Sequence, residues 1–536
     1  MGKIAGAKTD PAAAHWRIAS LAVFAVALIV TLVTLDDPGL TWDEPFSIIA
    51  GQSYASWFGN VPSLPVSQEG IYQYWRVNCE HPPLAKLLMG FAQAILPEVS
   101  PILASRFAVA VLFSLLVELV FQVGTSMFGG LAGLLGALSL LCMPRVFGDA
   151  HLASLDVAMA LTWLLAAVAF AKAVEKDAWP WSVASGICFG LALLTKINGV
   201  LLPIVLLGWG VGFHRRRALW PLVTTLGVGA IVFLVGWPWL WHDTAARLGG
   251  YLFPKGRVSL PVLYFGLVYK DKAVPWHYPI VMTLVTVPIG ILFLSLLGLA
   301  KAVRQFLVRP AQALLVVNLA VILGTFMLPW MPRYDGVRLF LAAFPFLALL
   351  AGAGGHRCWV WLCEHSAGRP WRPLFALATL FVTQAGAVGL IHPYELSYYN
   401  AAVGGLWGAD RLGLEVTYWH DVVNRRVFQW LNAQCPPGSR IAFYPVGEFV
   451  VGNNPEESDF YEAFYLNQKR GLQAVRFEPG VSYHYVVLNA REAMMRSVPE
   501  AKLPGNPEAW RIFKTREPLF AIRKQGVLLC GVYARE

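Results

Sequence analysis

The 536-residue chain is short of charge: 14% of its residues are Asp, Glu, Lys or Arg, where an ordinary soluble domain carries about a quarter. With 57% hydrophobic residues and a mean hydropathy of +0.55, that shortage excludes both a soluble globular protein and a disordered one. Cysteine is scarce as well. Seven in the whole chain, with no Cys-x-x-Cys pair, cannot build a disulfide scaffold and argue against structural zinc. No Walker-type glycine-rich loop is present, which excludes ATP hydrolysis by this chain. The absence of a fixed-period repeat excludes a solenoid and gives an inverted-repeat transporter no support.

What remains is long apolar sequence. A helix needs roughly 20 mostly apolar residues to cross hydrocarbon, and about eleven such windows occur. They lie near 17–35, 102–123, 129–147, 154–173, 179–196, 198–213, 218–237, 279–300, 311–330, 338–353 and 373–391. The weakest boundary is within 179–213, where Lys196, Asn198 and Gly199 interrupt the apolar run. This predicts a polytopic α-helical membrane protein. With the N-terminus cytoplasmic, the inside pieces hold Lys3, Lys8, Arg17, Lys172, Lys176, Arg215 to Arg217, Lys301, Arg304, Arg309, Arg357, Arg369 and Arg372, as the positive-inside rule requires. An odd number of crossings then places the C-terminus outside.

The net charge of +10 is explained by the same arrangement. The cytoplasmic pieces sum to +10, and residues 392–536, with 16 basic and 15 acidic side chains, sum to +1. Nucleic acid is therefore not needed as a partner. Residues 392–536 read as a separate extracytoplasmic α/β or α+β domain, with strands expected near 440–444, 483–488 and 526–530 and a helix over 422–432. Cys435 and Cys530 share that domain and are expected to pair in an oxidising compartment. Residues 36–101 and 237–279 form two long outer loops. Trp237, Trp239, Trp241 and Trp276 read as interfacial anchors.

Chemistry concentrates on the outer face. Trp42-Asp43-Glu44-Pro45-Phe46 places two carboxylates where the first helix leaves the membrane, and the same loop holds His81-Pro82-Pro83-Leu84-Ala85-Lys86. Arg145, Lys196, Arg333 and Arg338 fall at or inside outer helix ends, against the orientation bias and at a cost near hydrocarbon. Singly, each would snorkel or pair with an acid such as Asp335; together they suit a lipid phosphate. Arg247, Lys255, Arg257, Lys270 and Lys272 add to the field of the second outer loop.

The two loop motifs, with Arg145 to Asp156 and the lysine-bearing run Gly190 to Gly199, resemble those of the protein O-mannosyltransferase family of GT-C membrane glycosyltransferases. Arg333-Tyr-Asp-Gly-Val-Arg-Leu-Phe-Leu341 is similar to the lipid A aminoarabinose transferase branch. The resemblance covers the first 240 residues best and lacks the β-trefoil insertion of eukaryotic members. It implies a GT-C fold and transfer of one sugar from a polyprenyl phosphate to a hydroxyl on a protein, lipid or glycan, in a bacterial inner membrane. It also implies Asp43 as general base with Glu44 beside it, and Asp156, or less readily Asp149, as an assisting acid. His81 would bind acceptor or orient a carboxylate. Inversion by single displacement would follow, since one base and one leaving phosphate suffice. No cofactor is firmly implied; Mg or Mn on Asp43 and Asp156 is an open alternative. A transporter or lipid flippase is the competing reading, because intramembrane charges such as Lys196 and Glu118 also mark translocation paths.

Overall fold

The computed structural model describes residues 11–60, 66–253, 259–366, 369, 371–446, 450–451, 459–496 and 506–535. Lys3, Lys8, Lys255 and Arg257 lie outside them. Among the described residues, six helical stretches are long and apolar enough to cross a membrane: Trp16–Val33, Pro101–Phe128, Asp156–Lys176, Ile197–Gly236, Arg338–Glu364 and Trp371–Ile391. Gly130–Leu141, Trp179–Leu193 and Pro310–Thr325 are shorter apolar helices that cover three further windows. The 279–300 window is broken at Pro288 into the helices Tyr278–Thr286 and Ile289–Arg304, because proline lacks the amide the helix needs. The 179–213 window is likewise two helical pieces. Trp179–Leu193 ends before Lys196, whose extended backbone (φ −157°, ψ 154°) reverses the chain into a 3-10 turn at Ile197–Leu201.

Glycine sets how closely the helices approach. Phe344–Glu364 is buried on every side over its first twelve residues, so it has neighbours all round. A Cβ on Gly352 would sit 2.2 Å from the Ala132 carbonyl oxygen, one on Gly354 2.0 Å from that of Leu294, and one on Gly298 1.9 Å from that of Leu350. Backbones this close supply the dispersion contacts that replace the hydrophobic effect inside a bilayer. Glu118 accepts hydrogen bonds from Ser20 of the first helix and Gln122 of its own, so its charge serves a helix junction.

The first long loop, expected on the outside, is helical, as Glu44–Asn60, Gln68–Trp75 and Leu84–Ile95. Lys86 is buried at its centre, donating to Tyr54 Oη, the Asn78 and His81 carbonyls and Asn78 Oδ1. Burial pushes its ammonium down to about 7. The second outer loop carries a hairpin, β1 (Pro261–Tyr264) with β2 (Leu267–Lys270), whose turn residues Phe265 and Gly266 both have positive φ, as a two-residue turn of this hand requires. Of the tryptophans read as anchors, Trp276 is exposed, but Trp237 is fully buried against Phe233 and Tyr251.

The C-terminal region holds a mixed sheet ordered β4-β3-β5-β7-β6, from β3 (Arg440–Tyr444), β4 (Gln473–Arg476), β5 (Tyr485–Asn489), β6 (Phe520–Lys524) and β7 (Val527–Ala534). β3 runs parallel to β4 and β5, whereas β7 runs antiparallel to β5 and β6. The expected helix is present as Arg425–Gln434, with the Asn424 side chain capping its first turn. The expected disulfide is absent. Cys435 ends that helix and Cys530 lies mid-strand in β7, each a buried free thiol.

The segment that leaves the last span is tied back to the first. The His392 ring binds Asp37 (2.9 Å) and Glu395, next to His151, which binds Thr34 at the end of the first helix. Burial opposes the charged ring, but its bonds to Glu395 and Asp37 outweigh this and raise it to about 9. A folded pKa above the unfolded value of about 6.5 gives stability that is complete below the latter and lost as pH rises through the former. Thermal midpoints in detergent are therefore expected to fall between pH 6.5 and 9. His392→Asn should flatten that part of the profile; a variant with an unchanged slope would rule out this contact as its origin.

Candidate active site

Asp43 follows the first span directly, and its position is set by its neighbour. Glu44 is fully buried and accepts four hydrogen bonds: from Arg106 Nε (2.7 Å) and Nη2 (2.9 Å), Thr41 N (2.8 Å) and Ala153 N (2.9 Å). Arg106 spends its other donors on the carbonyls of Leu35, Pro38 and Gly39. Glu44 therefore has no oxygen left for a substrate. This corrects its expected place beside Asp43 in the chemistry: it fastens the first loop to the second acidic loop, because a buried carboxylate holds whatever donors neutralise it.

Asp43 stays partly open, its side chain 40% exposed, and Arg338 Nη2 holds its Oδ2 at 2.5 Å. The same guanidinium reaches Asp156 Oδ2 and Asp335 Oδ2, each at 3.2 Å, and lies 3.5 Å over the Trp419 ring. Lys196, delivered by the reversal after Trp179–Leu193, takes the other Asp156 oxygen at 2.5 Å. Asp335 Oδ1 is held by Arg491 at 2.7 Å; Arg491 also donates to the Tyr418 carbonyl (3.0 Å) and lies over Trp42. Three acids thus meet three bases.

A fourth base, Arg145, has no carboxylate partner among the described residues. It donates from Nε to the Tyr398 carbonyl (3.2 Å) and lies between the rings of Tyr399 and Tyr418, while its buried Nη2 has no hydrogen-bond partner. Gly336 makes room for it: φ there is +65°, and a Cβ would sit 2.2 Å from Arg145 Nη1. Arg145, Arg338, Asp149, Asp335, Tyr418 and Trp419 line a common cavity. Burial and then repulsion from Asp156 push the Asp149 carboxyl well above the usual carboxylate range.

The structure thus gathers Asp43, Asp156, Arg145, Lys196 and Arg338. His81 is open to solvent on one side, within electrostatic reach of Lys196, Arg338 and Asp156. Crowding by protein, and then the cations Lys86, Lys196 and Arg338, hold its ring below the ordinary imidazole range. Arg333 is elsewhere. Its guanidinium donates to the carbonyls of Phe326, Leu328 and Lys272, so it clamps the loop ahead of Arg338 and has few donors left for phosphate. A divalent metal does not fit Asp43 and Asp156, since both Asp156 oxygens and one of Asp43 already face cations, and no group of three potential ligands exists among the described residues.

Sequence reasoning missed Arg106, Arg491, Tyr418 and Trp419. Arg106 carried a signal, a charge one turn into an apolar span. The other three come from the C-terminal region and had none.

Membrane-length helices with an acidic and basic cluster gathered at one end of them form a fold that solved membrane-protein structures share. The structure matches that of ArnT from Cupriavidus metallidurans bound to undecaprenyl phosphate, with a TM-score of 0.51 and 16% identity over 97% of this chain and 98% of that one. The apo state of the same protein matches with the same scores. The family model for dolichyl-phosphate-mannose-protein mannosyltransferases matches residues 80–242, which include His81, Arg145, Asp156 and Lys196. The Archaeoglobus fulgidus oligosaccharyltransferase matches at 14% identity and a TM-score of 0.48, over 84% of this chain and 60% of that one. No curated protein matches the sequence.

Proposed function

We propose that this chain transfers one monosaccharide from a polyprenyl phosphate to an acceptor hydroxyl on the extracytoplasmic face, with inversion and with Asp43 as general base. The observation that carries this reading is the unmatched Arg145. A buried cation with a free N–H, beside three neutralised acids, is a site for one further negative charge, and a sugar phosphodiester brings one. The matched family model and the ArnT fold support a lipid-linked donor.

The acceptor oxygen attacks the anomeric carbon from the side opposite the phosphate, and its proton passes to Asp43. Arg338 holds Oδ2 of Asp43 and leaves the other oxygen for that proton. The bond from the anomeric carbon to the phosphate oxygen breaks, and the polyprenyl phosphate departs with the electron pair, its charge met by Arg145. Residues 1–391 form the catalytic membrane module in this reading, and residues 392–536 an extracytoplasmic domain that covers it.

The test is transfer of labelled sugar from polyprenyl-phosphate donors in membranes carrying the protein. Wild type is expected to transfer, and Arg145→Gln to lose about 10²- to 10³-fold, the scale of one lost charge-stabilising group. Equal transfer by a normally folded Arg145→Gln would remove the phosphate assignment.

A further inference from the structure

Arg338 is the hub of the acidic and basic cluster, and a residue of the C-terminal region governs what competes for it. Arg491 follows β5 by two residues, beside Ala490, whose amide donates to the Leu529 carbonyl of β7 (2.8 Å). The Arg491 side chain is buried. It holds Asp335 Oδ1 at 2.7 Å, donates to the Tyr418 carbonyl at 3.0 Å and lies 4.6 Å over the ring of Trp42, the residue before Asp43. Asp335 is also buried and has a left-handed backbone (φ +53°), which a residue with a side chain keeps only where its surroundings hold it. Its carboxylate is shared by two cations, Oδ1 going to Arg491 and Oδ2 to Arg338.

We propose that Arg491 is a positioning residue for the base: by neutralising Asp335 it keeps Arg338 on Asp43, so that the C-terminal region sets the pH range over which transfer runs. It rests on the reading of Asp43 as general base and deepens it. Arg338 divides its guanidinium among Asp43, Asp156 and Asp335. Asp156 has a second cation in Lys196 and Asp335 a second one in Arg491, whereas among the described residues Asp43 has Arg338 alone. Without Arg491, Asp335 is a buried carboxylate short of one partner and draws Arg338 toward both its oxygens. The hold on Asp43 Oδ2 then loosens and one negative charge stays uncompensated behind the hub. Both effects favour the protonated carboxyl, which cannot act as a base. Arg491 also faces Glu415 and His420 of the segment before the Arg425–Gln434 helix, and Tyr444 of β3, but of its partners only Asp335 is shared with Arg338. Burial pushes the Glu415 carboxyl up to about 8 and the His420 ring down to about 3, so both are uncharged on the acid side of neutrality. Asp43 faces Arg338, with Asp156, Asp335, Lys196 and His81 in the same field.

Transfer of labelled sugar at saturating polyprenyl-phosphate donor is followed against pH in membranes carrying the full-length protein. Arg491→Met is expected to move the acid limb of the profile up by about one pH unit, the low end of what one opposite charge does to a nearby carboxyl, with about tenfold slower transfer on the limb. Asp335→Asn still accepts from both arginines but removes the competing charge, and should move the limb to lower pH. The double variant restores the charge balance and should return the limb to its wild-type position. A role confined to holding the fold together would slow transfer at every pH, without moving the limb and without a shift of opposite sign in Asp335→Asn. The proposal is overturned if a folded Arg491→Met keeps the wild-type limb, or if the double variant leaves it displaced. If Arg491→Met does not fold, Asp335→Asn decides alone: a limb that fails to move down overturns the proposal. An acid limb that persists in the residual transfer of Asp43→Asn belongs to another group, and overturns the base reading as well. Failure of the wild type to transfer from any donor overturns the transferase reading itself.

Discussion

Asp43→Asn is expected to lower sugar transfer by about 10²- to 10⁴-fold, the usual contribution of a positioned general base. Asparagine keeps the shape and can still accept from Arg338, so the variant should fold and bind donor with a nearly unchanged KM. The loss belongs in kcat. Asp156 cannot take over, because both its oxygens face cations and it is almost wholly buried, whereas Asp43 has an open oxygen. Radiolabel transfer at saturating donor, with detergent-solubilised yield as the folding control, reads this out. Full transfer by a well-folded Asp43→Asn would move the base to another residue, and His81, solvent-open in the same field, would be examined next.

The second large effect falls on stability. Glu44→Ala leaves the Arg106 guanidinium buried without its carboxylate and is expected to cost about 3–5 kcal/mol, as measured where one partner of a buried ion pair is removed. Joint replacement, Glu44→Leu with Arg106→Met, should restore only part of that loss, since an apolar pair avoids the desolvation that both charges bear but leaves the Thr41 and Ala153 amides and the carbonyls of Leu35, Pro38 and Gly39 without these partners. Thermal midpoints of the purified single and double variants test this. If the double variant proves stable yet transfers at the wild-type rate, Glu44 has no chemical role; if it is stable and inactive, the view that Glu44 only fastens the loops is wrong.

The legibility of the site followed how each residue declares itself. Lys196 and Arg338 stood out because a charge in an apolar run has to be neutralised by something nearby, but the partners the structure gives them are Asp43, Asp156 and Asp335 in place of the expected lipid phosphate. Asp43 stood out only through the resemblance of its loop motif, since an acidic pair at the end of a span is otherwise read as solvated. Glu44 misled, since its spacing from Asp43 says nothing about an arginine 62 positions later in the chain. Arg333 misled in the same way: a cation near the right depth was satisfied by carbonyls of its own loop. Arg491, Tyr418 and Trp419 lie in a region of balanced charge, where nothing marks one arginine or aromatic residue above another.

By itself, the sequence determined the membrane class, the helical windows, the strand-bearing character of residues 392–536 and the two loops that hold the acids. These depend on composition and local period, which each segment carries alone. The tertiary structure alone decided which acid is open and which is neutralised, that the three acids Asp43, Asp156 and Asp335 are matched by cations from distant segments, and that Arg145 is left over. Pairing depends on distance between segments that are remote in the chain. The shortage of charge with which the sequence begins has its counterpart there, because beside three matched acids and bases a single further cation, Arg145, defines the site.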